Sequence, residues 1–140
     1  MILEGLLTMS AAEDVHIAAM GPEVADFRSM TQLILKPFQG SRTNDLLTAH
    51  PEGVFHLTDN VLLFALAVTG VSHERPQMHP ADTVKGWILE DACEAFEFRI
   101  ENADTSGERC RLLAKIQKSH FVRPFRGFNR AAHAVIEAAI

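Results

Sequence analysis

The feature that most constrains this fold is the stretch from Ala92 to Lys118, "ACEAFEFRIENADTSGERCRLLAKIQK". Ala95, Glu97 and Arg99 alternate with Phe96, Phe98 and Ile100, the period of two that a strand with distinct faces requires. The polar run "ADTSG" then separates two strand-like halves, as in a hairpin. A hairpin this long commits the chain to an antiparallel sheet, and the rest of the sequence must pack around it.

The amino-terminal half repeats the theme. "MILEGLLTMS" and "DVHIAAMGPEV", joined by "SAAED", read as a second antiparallel pair. "SMTQLILKPF" reads as a third strand, with Met30 and Ile34 on one face and Thr31, Leu33 and Leu35 on the other. A short helix over "TNDLLTAH" leads to a fourth strand, "EGVFHLT". Asp59 or Asn60 then caps a helix over "VLLFALAVTG", with Gly70 as its C-terminal stop; being apolar all round, this helix is expected to be buried. Val71 to Gly86 reads as a long polar loop, either a lid or partner contact or a plain excursion. Asn129 caps a final Ala-rich helix to Ile140 that ends without capping signals. Six or more antiparallel strands with inserted helices indicate a mainly β fold, a small barrel or an α+β arrangement, and exclude a doubly wound parallel sheet. The expected division is a barrel domain over residues 1–128 and, over 129–140, the start of a helix that continues in a longer parent chain.

Charge narrows the partners. Thirteen basic against eighteen acidic residues give a formal charge of -5, which argues against broad nucleic-acid or anionic-membrane binding. The longest apolar run, Val61 to Val68, is eight residues against the roughly 18 a spanning helix needs. Cys93 and Cys110 fall out of register across the hairpin, so no disulfide is expected. With no basic leader before a long apolar run, these features predict a cytoplasmic protein.

Any anion site must therefore be local, and "LKPFQGSRT" offers one. Pro37 ends the strand because it has no amide for the ladder, and Gly40 permits a tight turn. Ser41 or Thr43 caps the helix that follows, whose first-turn amides make a positive pole. Lys36 and Arg42 add full charges, and the hydroxyls of Ser41 and Thr43 add donors. Together these suit a phosphomonoester; an ordinary capped helix with two solvated basic residues fits the same spacing. In "HLTDNVLL", His56, Thr58 and Asn60 offer polar groups beside apolar walls, or simply begin a helix. In "HFVRPFRGFNR", Arg123, Arg126 and Arg130 interleave with Phe121, Phe125 and Phe128, a mixture that stacks on a flat ligand or packs a loop into the core. The seven histidines lack the short pairs of a zinc site, His73 and His79 being the nearest, so no metal is expected. No residue stands out as a catalytic acid or base.

Taken in order, "MILEG", "AAMGPEV", "LKPFQGSRT", "GVFHLTDNVLLFA", "GWILEDACEAFEFRIE" and "RPFRGFNRAAHAVIEAAI" make the chain resemble the FMN-binding split-barrel flavoproteins. Within them it resembles domain-of-unknown-function family 447, over nearly the whole sequence. The resemblance implies a six-stranded antiparallel split barrel and a homodimer with FMN in grooves between subunits. It implies that Ser41, Arg42 and Thr43 hold the ribityl phosphate beside Lys36 and Pro37. The backbone of Ala19, Met20 and Gly21 and the Thr58, Asp59, Asn60 corner would meet the isoalloxazine edge, and the cluster around Arg126 would reach across the interface. Where related flavin reductases carry an asparagine about three residues after the Ser-x-Thr pair, this chain has Leu46, with its asparagine at Asn44. Three functions remain open: an oxidoreductase passing electrons from a reduced nicotinamide or deazaflavin to a small acceptor, an FMN storage or sensing module, and a barrel for another phosphorylated metabolite.

Overall fold

In a computed structural model that describes residues 1–70 and 75–139, the chain forms eight strands and three helices. They are β1 (Gly5–Ala11), β2 (Asp14–Met20), β3 (Gln32–Leu35), α1 (Arg42–Ala49), β4 (Glu52–Leu57), α2 (Val61–Thr69), β5 (Met78–Pro80), β6 (Trp87–Leu89), β7 (Glu94–Asp104), β8 (Arg111–Phe121) and α3 (Arg130–Ala139). Six strands make one antiparallel sheet in the order β2-β1-β4-β7-β8-β3, and β5 and β6 pair as a small hairpin beside it.

The sheet closes on itself through the segment after β2. Glu23 bridges both Ile2 and Ile34, exchanging two 2.9 Å backbone hydrogen bonds with Ile34, and the Val24 amide donates to the Met1 carbonyl. Closure satisfies edge groups that an open sheet would leave free. Inside the barrel the alternating residues meet as predicted: Leu7 and Met9 from β1, Leu33 and Leu35 from β3, and Phe55, Phe96 and Phe98 from β4 and β7 form one core.

The outer face of the same strands is also covered, which the alternation did not announce. Leu6 packs with Leu63 and Phe64 of α2, and Val54 and Ala95 pack with Val84 and Ile88 around the β5–β6 hairpin. Hence β1 is buried on both faces, and Thr8 survives there by donating its hydroxyl to the Trp87 carbonyl at 2.5 Å. The loop expected over Val71 to Gly86 is therefore largely a strand turn docked on the sheet; residues 71–74, with His73, lie outside the described residues.

Glu97 shows how the hairpin is fastened. It was expected on a polar face, yet it is fully buried, because the turn between β5 and β6 folds over it. Its carboxylate accepts from the Asp82 amide at 2.8 Å, the Thr83 amide at 2.6 Å, the Thr83 hydroxyl and His120 Nε2 at 2.6 Å. Burial alone would favour the neutral acid, but these donors outweigh it and hold the pKa at about 2. Asp82, Glu97 and His120 bring metal-ligand atoms within 4.8 Å of one another, and the Lys118 ammonium, 2.6 Å from Asp82 Oδ2, already places a cation there.

Other expectations need correction. Strand β3 begins only at Gln32, because Met30 turns at φ 41° and buries its side chain in the core instead of continuing the pleat. Helix α2 is capped as predicted, by Asn60 and by Gly70 at φ 65°, but it is not buried all round. Leu63 and Phe64 face the sheet, while Leu62 and Val68 are 61% and 50% exposed. Cys93 and Cys110 are both buried and unpaired.

Candidate functional site

The turn after β3 is built to face an open groove. Gly40, at φ 76°, reverses the chain, and the Ser41 hydroxyl accepts the Asn44 amide at 3.2 Å as the α1 cap. The amides of Arg42 and Thr43 precede the first intrahelical bond, which the Asp45 amide makes to the Ser41 carbonyl, and find no acceptor among the described residues. Arg109 locks the turn from the other side: its guanidinium lies 3.8 Å from the Phe38 ring centre and donates to the Lys36 carbonyl at 3.3 Å. Backbone bonds from Gln39 to Glu108 and from Cys110 to Pro37 complete the clamp.

This turn forms one wall of a groove of about 470 Å³. Its floor is β2 from His16 to Met20 and the following Gly21, and its far wall is Ala67 and Val68 of α2 with Ala139 of α3. Eight residues singled out from the sequence thus line one cavity: Ala19, Met20 and Gly21 on the floor, and Lys36, Pro37, Ser41, Arg42 and Thr43 on the wall. The groove is apolar along β2 and α2 and positive at the turn, the polarity a phosphorylated ring compound requires.

The electrostatics are more specific than the sequence indicated. The Arg42 side chain is exposed and makes no ion pair or hydrogen bond among the described residues, so its charge is free for a ligand. Lys36 is not free in this way, because its ammonium pairs with Glu23. His16, which sequence analysis passed over, lies 3.4 Å from the Thr43 hydroxyl through Nε2. Its burial, and then the Arg42 charge, hold its pKa below the usual imidazole value. Only the alternation of β2, which puts residues 16, 18 and 20 on one face, carried a signal for it. Arg109 and Phe38 carried none, since their pairing depends on the return of the β7–β8 hairpin.

The second group of predicted residues lies elsewhere. Asn60 caps the start of α2, whereas Ala67 and Val68 meet the groove near its end. At 1.5 Å per residue the two ends are about 10 Å apart. There Thr58 donates to the Asp91 carbonyl at 2.9 Å and Asn60 bonds the Asp91 carboxylate. Asp59 accepts from Arg123 Nη2 at 2.5 Å and from the Arg126 amide at 2.6 Å. The Arg123 hydrogen bond, which burial only partly offsets, holds the Asp59 pKa at about 2. Within one chain this corner is a closed network that anchors the arginine-rich loop. Phe121, Phe125 and Phe128 of that loop are exposed instead of packing into the core. His56 is unavailable to any ligand: its Nε2 accepts the Leu89 amide, so Nδ1 carries the proton to the Leu6 carbonyl, and burial lowers its pKa to about 4.

Comparisons with known proteins agree with the fold. A family model described as the N-terminal domain of a protein of unknown function, DUF447, matches residues 3–123. An FMN-bound protein of that family from Methanosarcina mazei superposes with a TM-score of 0.81 at 18% identity, over 99% of this chain and 72% of that one. The flavin reductase of styrene monooxygenase from Pseudomonas putida S12 gives 0.68 at 16% identity, over 86% and 80%. An FMN-binding protein from Thermus thermophilus, with 1-cyclohex-2-enone bound, gives 0.68 at 13%, over 85% and 70%. No curated protein sequence matches the chain.

Proposed function

The chain belongs to the DUF447 family through its N-terminal domain, and from that premise and the groove we propose that it is an FMN-binding flavoprotein acting as an oxidoreductase. The observation that carries this reading is the convergence of three separate segments, Ala19–Gly21, Lys36–Pro37 and Ser41–Thr43, on one cavity with an apolar floor and a positive end. The fit to the cofactor rests on the two unpartnered amides at the start of α1 and on the uncommitted Arg42 guanidinium, which match the donors a phosphate dianion requires. The apolar strip over Ala18–Met20 and Ala67 is suited to the ring system.

When bound, flavin supplies the redox chemistry. The protein's residues then have three tasks: the α1 amides, Ser41, Arg42 and Thr43 hold the phosphate, the β2 backbone supports the ring edge, and the walls limit water. The substrates in this reading are a reduced nicotinamide or deazaflavin as donor and a small molecule as acceptor. The flavin-reductase neighbour supports this reading over storage or sensing. We take the working unit to be a homodimer, in which the exposed Leu62, Phe125 and Phe128 are covered by the second chain. In that dimer the Thr58–Asn60 corner and Arg126 of one chain lie near the flavin of its partner. Among the described residues no helix is long and apolar enough to cross a membrane.

The test is the absorption spectrum of the purified protein after loading with FMN and desalting, followed by anaerobic addition of NADH, NADPH or reduced deazaflavin. Retained flavin bands that bleach with a reductant are the expected result. Retained but inert flavin supports the storage reading, and loss of all flavin on desalting refutes both.

A further inference from the structure

Strand β2 brings one histidine to the phosphate end of the groove. His16 shares a face with Ala18 and Met20 and stands opposite Met9 of β1, while Ile17 and Ala19 pack on the α2 side. Its one hydrogen-bond contact among the described residues is the 3.4 Å approach of Nε2 to the Thr43 hydroxyl, longer than a well-made bond, and Nδ1 has none. A half-buried imidazole held this loosely does little for the fold. It stands, however, beside a residue that lines the groove at the first turn of α1.

We propose that His16 is a positioning residue that selects phosphorylated flavin over its unphosphorylated form. As the phosphate seats at the start of α1, the imidazole takes up a proton from solvent and donates from Nε2 to the Thr43 oxygen, which turns its own proton to the phosphate. The proposal rests on the FMN reading of the groove. The Thr43 hydroxyl has a single proton to give. If Nε2 accepts that proton, the ligand is deprived of it; if Nε2 carries a proton of its own, the hydroxyl is free to donate outward. A neutral imidazole permits both arrangements through its two tautomers, and the imidazolium permits only the second.

The charges around the ring decide when the proton is taken up. Burial, and then the charge of Arg42, keep the His16 pKa below its ordinary 6.5 in the unliganded protein. Asp14 and Arg75 line the adjoining cavity with His16 but pair with each other. Further along the groove Lys36 pairs with Glu23, which leaves Glu4 and Arg109, opposite in sign. The elements packed on β2, namely β1 and α2, carry no ionisable side chain, and Asp45 in the first turn of α1 lines neither cavity. Arg42 is therefore the uncompensated charge beside His16, and a phosphate bearing nearly two negative charges more than cancels it. The field at the imidazole changes sign on binding, and the proton follows. A pKa raised in this way adds affinity that is complete at acid pH and is lost as pH rises through the value in the complex.

His16→Gln keeps a donor near Thr43 but cannot take the charge. Flavin-fluorescence quenching gives Kd for FMN and for riboflavin, which lacks the phosphate, on both proteins from about pH 5.5 to about pH 8.5. Comparing the FMN-to-riboflavin preference of parent and variant cancels the titration of the phosphate itself near pH 6. At the acid end the parent's preference is expected to exceed that of His16→Gln by about tenfold, and at the alkaline end the two are expected to converge. Riboflavin alone should bind both equally. NMR titration of the His16 ring in the parent, which needs no variant to fold, should show its pKa moving upward when FMN is bound. A preference that is the same in both proteins at every pH, or a His16 titration unmoved by FMN, overturns the proposal and leaves the FMN reading standing. If the parent binds no FMN, both fall together.

Discussion

Replacing Arg42 by alanine isolates one charge in the groove from everything else that holds the fold. The guanidinium is exposed and has no protein partner among the described residues, so its removal should leave the apoprotein's thermal midpoint where it was. Its effect on FMN is another matter. A hydrogen bond to a charged group contributes about 1.5–3 kcal/mol, and the open rim of the groove favours the low end of that range because water and salt screen the pair. The expected loss is therefore about 1.5–2 kcal/mol, or roughly 10- to 30-fold in Kd. Quenching of flavin fluorescence on titration measures it directly, and the difference between Arg42→Ala and the parent should shrink as salt is raised. A Kd unchanged by the substitution would refute the reasoning, since no other free cation on the turn offers itself: Lys36 is committed to Glu23 and Arg109 to the Phe38 ring and the Lys36 carbonyl.

Ser41→Ala should differ from Arg42→Ala by lowering both properties at once: loss of the α1 cap costs about 1 kcal/mol of stability in a thermal melt, and FMN binding weakens with it. Glu97→Ala should be the most damaging, because it strands the Asp82 and Thr83 amides and His120 without their acceptor; about 3–5 kcal/mol lost in urea unfolding is expected. Glu97 also predicts an acid response. Its folded pKa of about 2 lies below its ordinary 4.5, so its stabilisation is complete above about pH 5 and is lost as pH falls toward 2. Unfolding followed from pH 6 to 2 should show that loss, and Glu97→Gln, which cannot titrate there, should show a shallower acid limb.

Much of the fold was legible because it is local. The alternation around Phe96 and Phe98, the cap at Asn60 and the left-handed stop at Gly70 are decided within a few residues, and the structure has them where the pattern put them. One error shows what local pattern leaves out. Glu97 alternates with Phe96 and Phe98 and so points away from the core, but the alternation says only which side a residue points to and is silent on what lies there. The β5–β6 hairpin covers that side, and its register against the sheet is a tertiary property. Met30 is the same lesson in reverse: an apolar residue at the right spacing for the strand, pulled out of the pleat because the core is filled from a turn.

The site divides along the same line. The α1 end of the groove is legible because "GSRT" concentrates turn, cap, charge and hydroxyl in four consecutive positions. The Thr58–Asn60 corner is polar for a different reason: Asp59 and Asp91 hold Arg123, and through it the exposed phenylalanine loop, against the barrel. A network that satisfies its own charges so completely is a scaffold for what it carries. What it carries is a cluster of apolar side chains facing outward beside the exposed flank of α2. If that flank is where a second chain docks, the Asp59–Arg123 pair acts on the flavin through the partner and not through its own groove. Asp59→Asn should then weaken dimerisation and FMN retention together at low protein concentration, yet leave FMN affinity intact when the protein is concentrated enough to stay paired. Sedimentation and flavin fluorescence across a dilution series would read both, and retention lost equally at every concentration would return Asp59 to a role within its own chain.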